Sequence, residues 1–164
     1  MLRASRLAHI VGVVMAVGSI STFLVVSAVI DGGPVEGIAL GRRIISTGTN
    51  VLTLPGLGLV GGSGLWMGWR RYGPRHRFFR LKLLLAALIA ANGLFFVVPS
   101  VARATEIAVR SLAQGRLQPE YGPAYVRESA FGAANVVLLL TAVVLGVWRA
   151  GAASGGDARS AAAE

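Results

Sequence analysis

Four long stretches of this chain are almost free of charge, and they decide what it can become. Leu7 to Ile30 has His9 as its only ionisable residue, and Ile44 to Met67 has none. Phe78 to Val98 is interrupted only near its start, by Arg80 and Lys82, and Ser129 to Trp148 again has none. They run for 24, 24, 21 and 20 residues. About 18 or more apolar residues wound as a helix can cross a hydrocarbon core about 30 Å thick. In lipid, each segment must satisfy its own backbone, which a helix does. A barrel would need many alternating segments of about ten residues. The expected fold is therefore all-α, an integral membrane four-helix bundle over residues 1–150. Composition agrees, with 54% hydrophobic and only 14% charged residues, against about 25% charged in a soluble domain.

A cleaved signal peptide is the alternative for the first stretch, since Arg3 and Arg6 precede it and Val26-Ser27-Ala28 would pass as a cleavage site. Its 24 apolar residues exceed the roughly 7–15 of a secretory apolar region, which favours a retained anchor. With no cysteine in the chain, disulfides, iron–sulfur clusters and thiolate metal sites are excluded.

The net charge of +9 is distributed unevenly. The segments before the first span, between the second and third, and after the fourth, counted together with Arg80 and Lys82 at the start of the third span, hold ten basic residues against Asp157 and Glu164. The two loops on the other side hold six basic residues and five acidic ones. The positive-inside rule then places both termini in the cytoplasm, as in a multi-pass protein of a bacterial inner membrane. Trp66, Trp69 and Trp148 lie at the cytoplasmic ends of their spans, where interfacial anchors belong. Trp69-Arg70-Arg71-Tyr72 and the basic residues after it mix charge with aromatic rings. In so short a loop they set topology and attract anionic headgroups, so nucleic acid is not an expected partner; the lipid bilayer is.

Asp31 to Gly41 reads as a Gly-rich reversal and a short approach to the second span. Residues 101–114 have helical character, with Glu106 and Arg110 four apart and Gly115 as a stop. The third helix is expected to continue beyond the membrane, bent at Pro99. Pro119, Gly122 and Pro123 break regularity before a fourth helix beginning near Tyr125. The tail 151–164, rich in Ala and Gly, is expected to be disordered.

Gly56-Leu57-Gly58-Leu59-Val60-Gly61 has the spacing of a dinucleotide fingerprint, but it lies inside an apolar span and not between a strand and a helix. Helix packing is the physical reading. Gly58 and Gly62, Gly64 and Gly68, and Gly12 and Ala16 are each four apart, a spacing that lets helices approach closely in lipid. Pro55 predicts a kink, its freed carbonyl met by Thr47, Thr53 or a neighbouring helix. Asn50, Asn92, Asn135 and Thr141 are candidates for interhelical hydrogen bonds.

Two ionisable residues, His9 and Lys82, stand just inside the first and third spans at similar depth. Lys82 snorkelling and His9 resting at the interface is one reading; an intramembrane functional pair is the other. No nucleophile–base pair, phosphate loop or carboxylate pair accompanies them.

Three local patterns carry a family resemblance. They are Leu7-Ala8-His9-Ile10-Val11-Gly12 followed by Gly18, Arg42-Arg43-Ile44 with Pro55-Gly56 and Gly64-Leu65-Trp66-Met67, and Phe78-Phe79-Arg80-Leu81-Lys82-Leu83-Leu84-Leu85. Over roughly residues 5–100 the chain resembles the bacterial four-helix membrane families related to copper-resistance protein D and the J-type protoporphyrinogen oxidase, including an uncharacterised branch of similar size. The resemblance implies a haem- or porphyrin-associated site around His9 and Lys82, with His9 as axial haem ligand. Met15-Ala16-Val17 stands where the oxidase branch carries an aromatic residue before Gly18, and the third span has Asn92 in place of a second histidine. One chain thus offers a single axial histidine, or a haem shared between subunits. Three functions are in view: a non-enzymatic subunit or packing partner in a membrane complex or homo-oligomer; a porphyrin-linked oxidoreductase; and copper transport. Copper ranks last, because copper(I) favours Cys and Met and only Met15 and Met67 lie within spans.

Overall fold

The structure is a computed structural model that describes the backbone of residues 2–73 and 75–161 and the side chains of residues 3–73 and 75–147. Among the described residues the chain is all helical. Its α-helices are α1 (Leu2–Ile30), α2 (Val35–Gly48), α3 (Leu54–Tyr72), α4 (Arg77–Asn92), α5 (Val98–Ser111) and α6 (Tyr121–Ala161). A π-helical segment, Thr49–Thr53, joins α2 to α3, and a second, Gly93–Val97, joins α4 to α5. The result is four rods, Arg3–Ile30, Val35–Tyr72, Arg77–Gln114 and Tyr121–Val147, each long and apolar enough to cross a membrane. The tail expected to be disordered, 151–164, lies outside the residues whose side chains are described.

Each π segment ends just before a proline, Pro55 or Pro99. Proline removes one backbone donor and crowds the preceding turn. A widened turn accommodates it without ending the helix. Side chains assist in the second rod, where Thr49 Oγ1 donates to the Ile45 carbonyl (2.8 Å) and Asn50 Nδ2 to the Ser46 carbonyl (2.8 Å). Thr53 Oγ1 shares a 2.8 Å hydrogen bond with Ser19 Oγ on α1. The third rod continues past Pro99 as expected. It ends in a 3₁₀ turn, Leu112–Gln114, and at Gly115 (φ +63°), whose left-handed backbone glycine adopts without strain. The Gln118 amide then donates to Ser111 Oγ (3.1 Å) and folds the connection back onto α5.

The second rod differs from its expected outline. The reversal is confined to Asp31–Pro34, and helix begins at Val35. Val35, Ile38, Ala39, Arg42 and Ile45 are buried at helical spacing while Glu36, Leu40 and Arg43 face outward, so α2 is amphipathic. Helix α5 buries Val101, Ala104, Ile107, Ala108 and Ser111 in the same way. The two faces pack together at the end away from the termini, called the distal end below. Ile38, Ala39 and Ala108 form the core there, with Ile30, Leu117 and Tyr121 against it.

Toward the terminal end the rods pair as sequential hairpins. The second rod meets α1 through a glycine stripe. A Cβ on Gly41 would lie 2.7 Å from Ile30, one on Gly48 2.7 Å from Phe23, and one on Gly56 2.9 Å from the Ala16 amide nitrogen. The wider turn of Thr49–Thr53 absorbs the extra residue between Gly48 and Gly56 and keeps the stripe facing α1. The other hairpin pairs α4 and its π segment with α6. There Asn92 Nδ2 donates to the Phe131 carbonyl (2.9 Å), and Phe96 stacks on Phe131 with centroids 4.7 Å apart. Between 6% and 17% of each apolar window is buried inside the molecule, so most apolar side chains point outward, as lipid-facing residues do.

Candidate functional site

His9 stands two turns into α1 and is half-buried against α3. Its Nδ1 lies 3.0 Å from Ser63 Oγ, and its ring covers Gly64, where a Cβ would come within 3.4 Å. Ser63 Oγ also donates to the Leu59 carbonyl. A hydroxyl has one proton to give. With that proton on Leu59, Ser63 is left to accept from His9 Nδ1–H, and Nε2 is the ring nitrogen not engaged in this bond. A hydrogen bond to the other ring nitrogen fixes tautomer and ring orientation in metal-ligating histidines.

Lys82 belongs to the other hairpin. Its ammonium lies 5.3 Å from the Phe78 ring centroid, and it would lie 2.9 Å from a Cβ placed on Gly146 of α6. His9 and Lys82 thus engage different helices, and no hydrogen bond joins them among the described residues. No group of three or more His, Cys, Asp or Glu that could hold a metal gathers among the described residues.

Beside His9 runs an open groove of about 380 Å³ between α1 and α3, lined by Ala4, Ser5, Ala8, Gly58, Leu59, Gly62 and Ser63. The glycines predicted to mediate packing divide here into two sets. Gly12 and Gly56 meet backbone to backbone, and a Cβ on Gly12 would lie 2.7 Å from the Gly56 carbonyl oxygen. Gly68 abuts Phe79. A Cβ on Gly58, Gly61 or Gly62 would meet no described residue within 4 Å. The expected close packing at Gly58 and Gly62 is therefore not made among the described residues.

At the distal end lies a site whose residues entered the sequence reasoning as loop charge and, for Arg42, as part of a family pattern, but not as an inward-facing pair. Arg42 is completely buried, and its Nη2 is ion-paired and hydrogen-bonded to Glu128 Oε2 on α6. Its guanidinium sits 5.9 Å from the Tyr125 ring centroid, and Thr105 Oγ1 donates to its backbone carbonyl (3.2 Å). Arg42 Nε and Nη1 have no hydrogen-bond partner among the described residues. One arginine therefore links α2, α5 and α6. Its position at helical spacing with Ile38, Ala39 and Ile45 was the signal that could have marked it as inward-facing. Arg43 is exposed.

In comparisons with protein-family models, curated proteins and solved structures, nothing matches this chain.

Proposed function

We propose that this chain is a non-catalytic membrane subunit, with both termini in the cytoplasm of a bacterial cell, whose glycine groove receives a transmembrane helix of another subunit. The observation that carries the reading is the open set Gly58, Gly61 and Gly62. Each glycine costs a helix about 1 kcal/mol relative to alanine. Gly12, Gly41, Gly48 and Gly56 offset that cost by letting α1 and the second rod approach closely. Gly58, Gly61 and Gly62 gain nothing inside the monomer. In lipid, small residues of this kind form the surface on which another helix packs. The charge asymmetry between the two ends supports the sidedness.

The test is a photo-crosslinking residue at Gly61 in native membranes, together with native electrophoresis of the mildly solubilised protein. A protein adduct is expected, and an assembly larger than the monomer that dissociates in Gly58→Ile/Gly62→Ile. Adducts to lipid alone, or a monomer under mild extraction, would overturn the reading.

A second reading, a haem- or porphyrin-linked oxidoreductase, is favoured by the His9–Ser63 arrangement. The residues fit a single axial nitrogen, with His9 Nε2 as ligand, Ser63 holding the ring, and Lys82 available for a propionate only if the two hairpins close together. Haemin titrated into detergent-purified protein should then give a Soret band that His9→Ala abolishes. Ser63→Ala should weaken binding by about 10–100-fold. A spectrum unchanged by His9→Ala would eliminate this reading.

A further inference from the structure

Between α5 and α6, close to where the apolar spans begin, is an open cleft of about 330 Å³ lined by Pro99, Ser100, Arg103, Ala124 and Arg127. The expected third span ends at Val98 and the fourth begins at Ser129, so the cleft sits at the depth of a headgroup. Its charge is unbalanced. Among the described residues Glu106 is the only carboxylate paired with Arg103 (3.1 Å), and the same carboxylate also holds Arg110. Glu128, next to Arg127 in sequence, is committed to Arg42. Arg127 itself has no carboxylate partner among the described residues. Its guanidinium lies over the Phe131 ring, 5.8 Å from the centroid, which leaves the edge N–H groups available. Ser100, 94% buried, brings a hydroxyl-bearing side chain to the cleft wall.

What lies beneath the cleft is apolar. Phe96 is one turn from Ser100, Phe131 is one turn from Arg127, and the two rings stack on each other. Two arginines above a pair of aromatic rings, between membrane helices, offer charge to a phosphate and a smooth wall to an acyl chain. The geometry points to a binding site for an anionic phospholipid in the cleft between α5 and α6, its phosphate held by Arg103 and Arg127 with Ser100 as an added donor. A free phosphate ion would use the arginines and serine but would have no use for the rings. This inference rests on the membrane reading and not on what fills the glycine groove, so either can fail without the other.

The experiment is native mass spectrometry of the full chain in detergent with added phosphatidylglycerol, phosphatidylcholine or inorganic phosphate. Retention of phosphatidylglycerol over phosphatidylcholine is expected, falling roughly fivefold for each of Arg103→Gln and Arg127→Gln. Arg116→Gln, an exposed distal arginine outside the cleft, should leave it unchanged. Equal retention of the two lipids by the wild type would overturn the proposal, whatever the variants do. So would an unchanged preference in Arg103→Gln/Arg127→Gln, or displacement of the lipid by millimolar phosphate, the mark of a free-anion site.

Discussion

Arg42 and Glu128 form a nearly dry ion pair, with the arginine side chain fully buried and the glutamate 14% exposed. Removing either partner leaves the other charge buried and uncompensated, which costs about 3–5 kcal/mol, whereas replacing both with apolar residues costs much less. Glu128→Ala and Arg42→Ala should each lower the melting temperature strongly. Arg42→Leu/Glu128→Leu should recover most of the loss in a double-mutant cycle; strictly additive losses would show that the two charges are not coupled. The glycines give a similar contrast between neighbours. Gly56→Ala forces a methyl group against the α1 backbone and should destabilise by about 1–3 kcal/mol. Gly58→Ala meets open space and should be neutral to slightly stabilising in the isolated monomer. Unfolding titrations in mixed micelles would measure both.

At the scale of the element, the π segments matter because they set which face of a rod points inward. Inserting an alanine after Leu52 would add a second extra residue to Thr49–Thr53, more than one wide turn absorbs, and rotate α3 by about 100° relative to α2. Gly56 and Gly64 would then leave α1, and thermal melts should show a loss at least as large as that of Gly56→Ala. An extra residue at the exposed Gly115–Arg116 turn should cost far less. The four apolar rods were legible in the sequence because lipid demands long uncharged helices, and helix after Pro99 was legible from Glu106 and Arg110 four apart with Gly115 as a stop. The start of α2 was not, because Gly32, Gly33, Pro34, Gly37 and Gly41 carry a turn signal that outweighed the spacing of Val35, Ile38, Arg42 and Ile45. Nor could the sequence name the partner of Arg42, which lies 86 residues away. Periodicity shows which face turns inward but not what it meets there. His9 was visible as an intramembrane histidine, while its Ser63 partner was hidden among ordinary small residues.

The whole molecule is two hairpins joined at the distal end by α2 and α5, with its basic residues concentrated at the opposite end. Because the chain has no cysteine, a single introduced thiol reports sidedness cleanly. Gln114→Cys should react with a membrane-impermeant maleimide in intact cells, and Arg75→Cys only after permeabilisation. The reverse pattern would invert the proposed topology. Both positions are exposed, so access to the reagent depends on the membrane alone.

The linkage between Arg42 and Glu128 also sets an order in time. A ribosome adds about 5–20 residues per second, so Arg42 is made several seconds before the glutamate 86 positions later. During that interval the arginine must stay hydrated, and the distal core cannot close around it. The last helix to be synthesised therefore releases the second to settle, and a nascent chain interrupted before residue 128 would display an unpaired cation at the membrane surface.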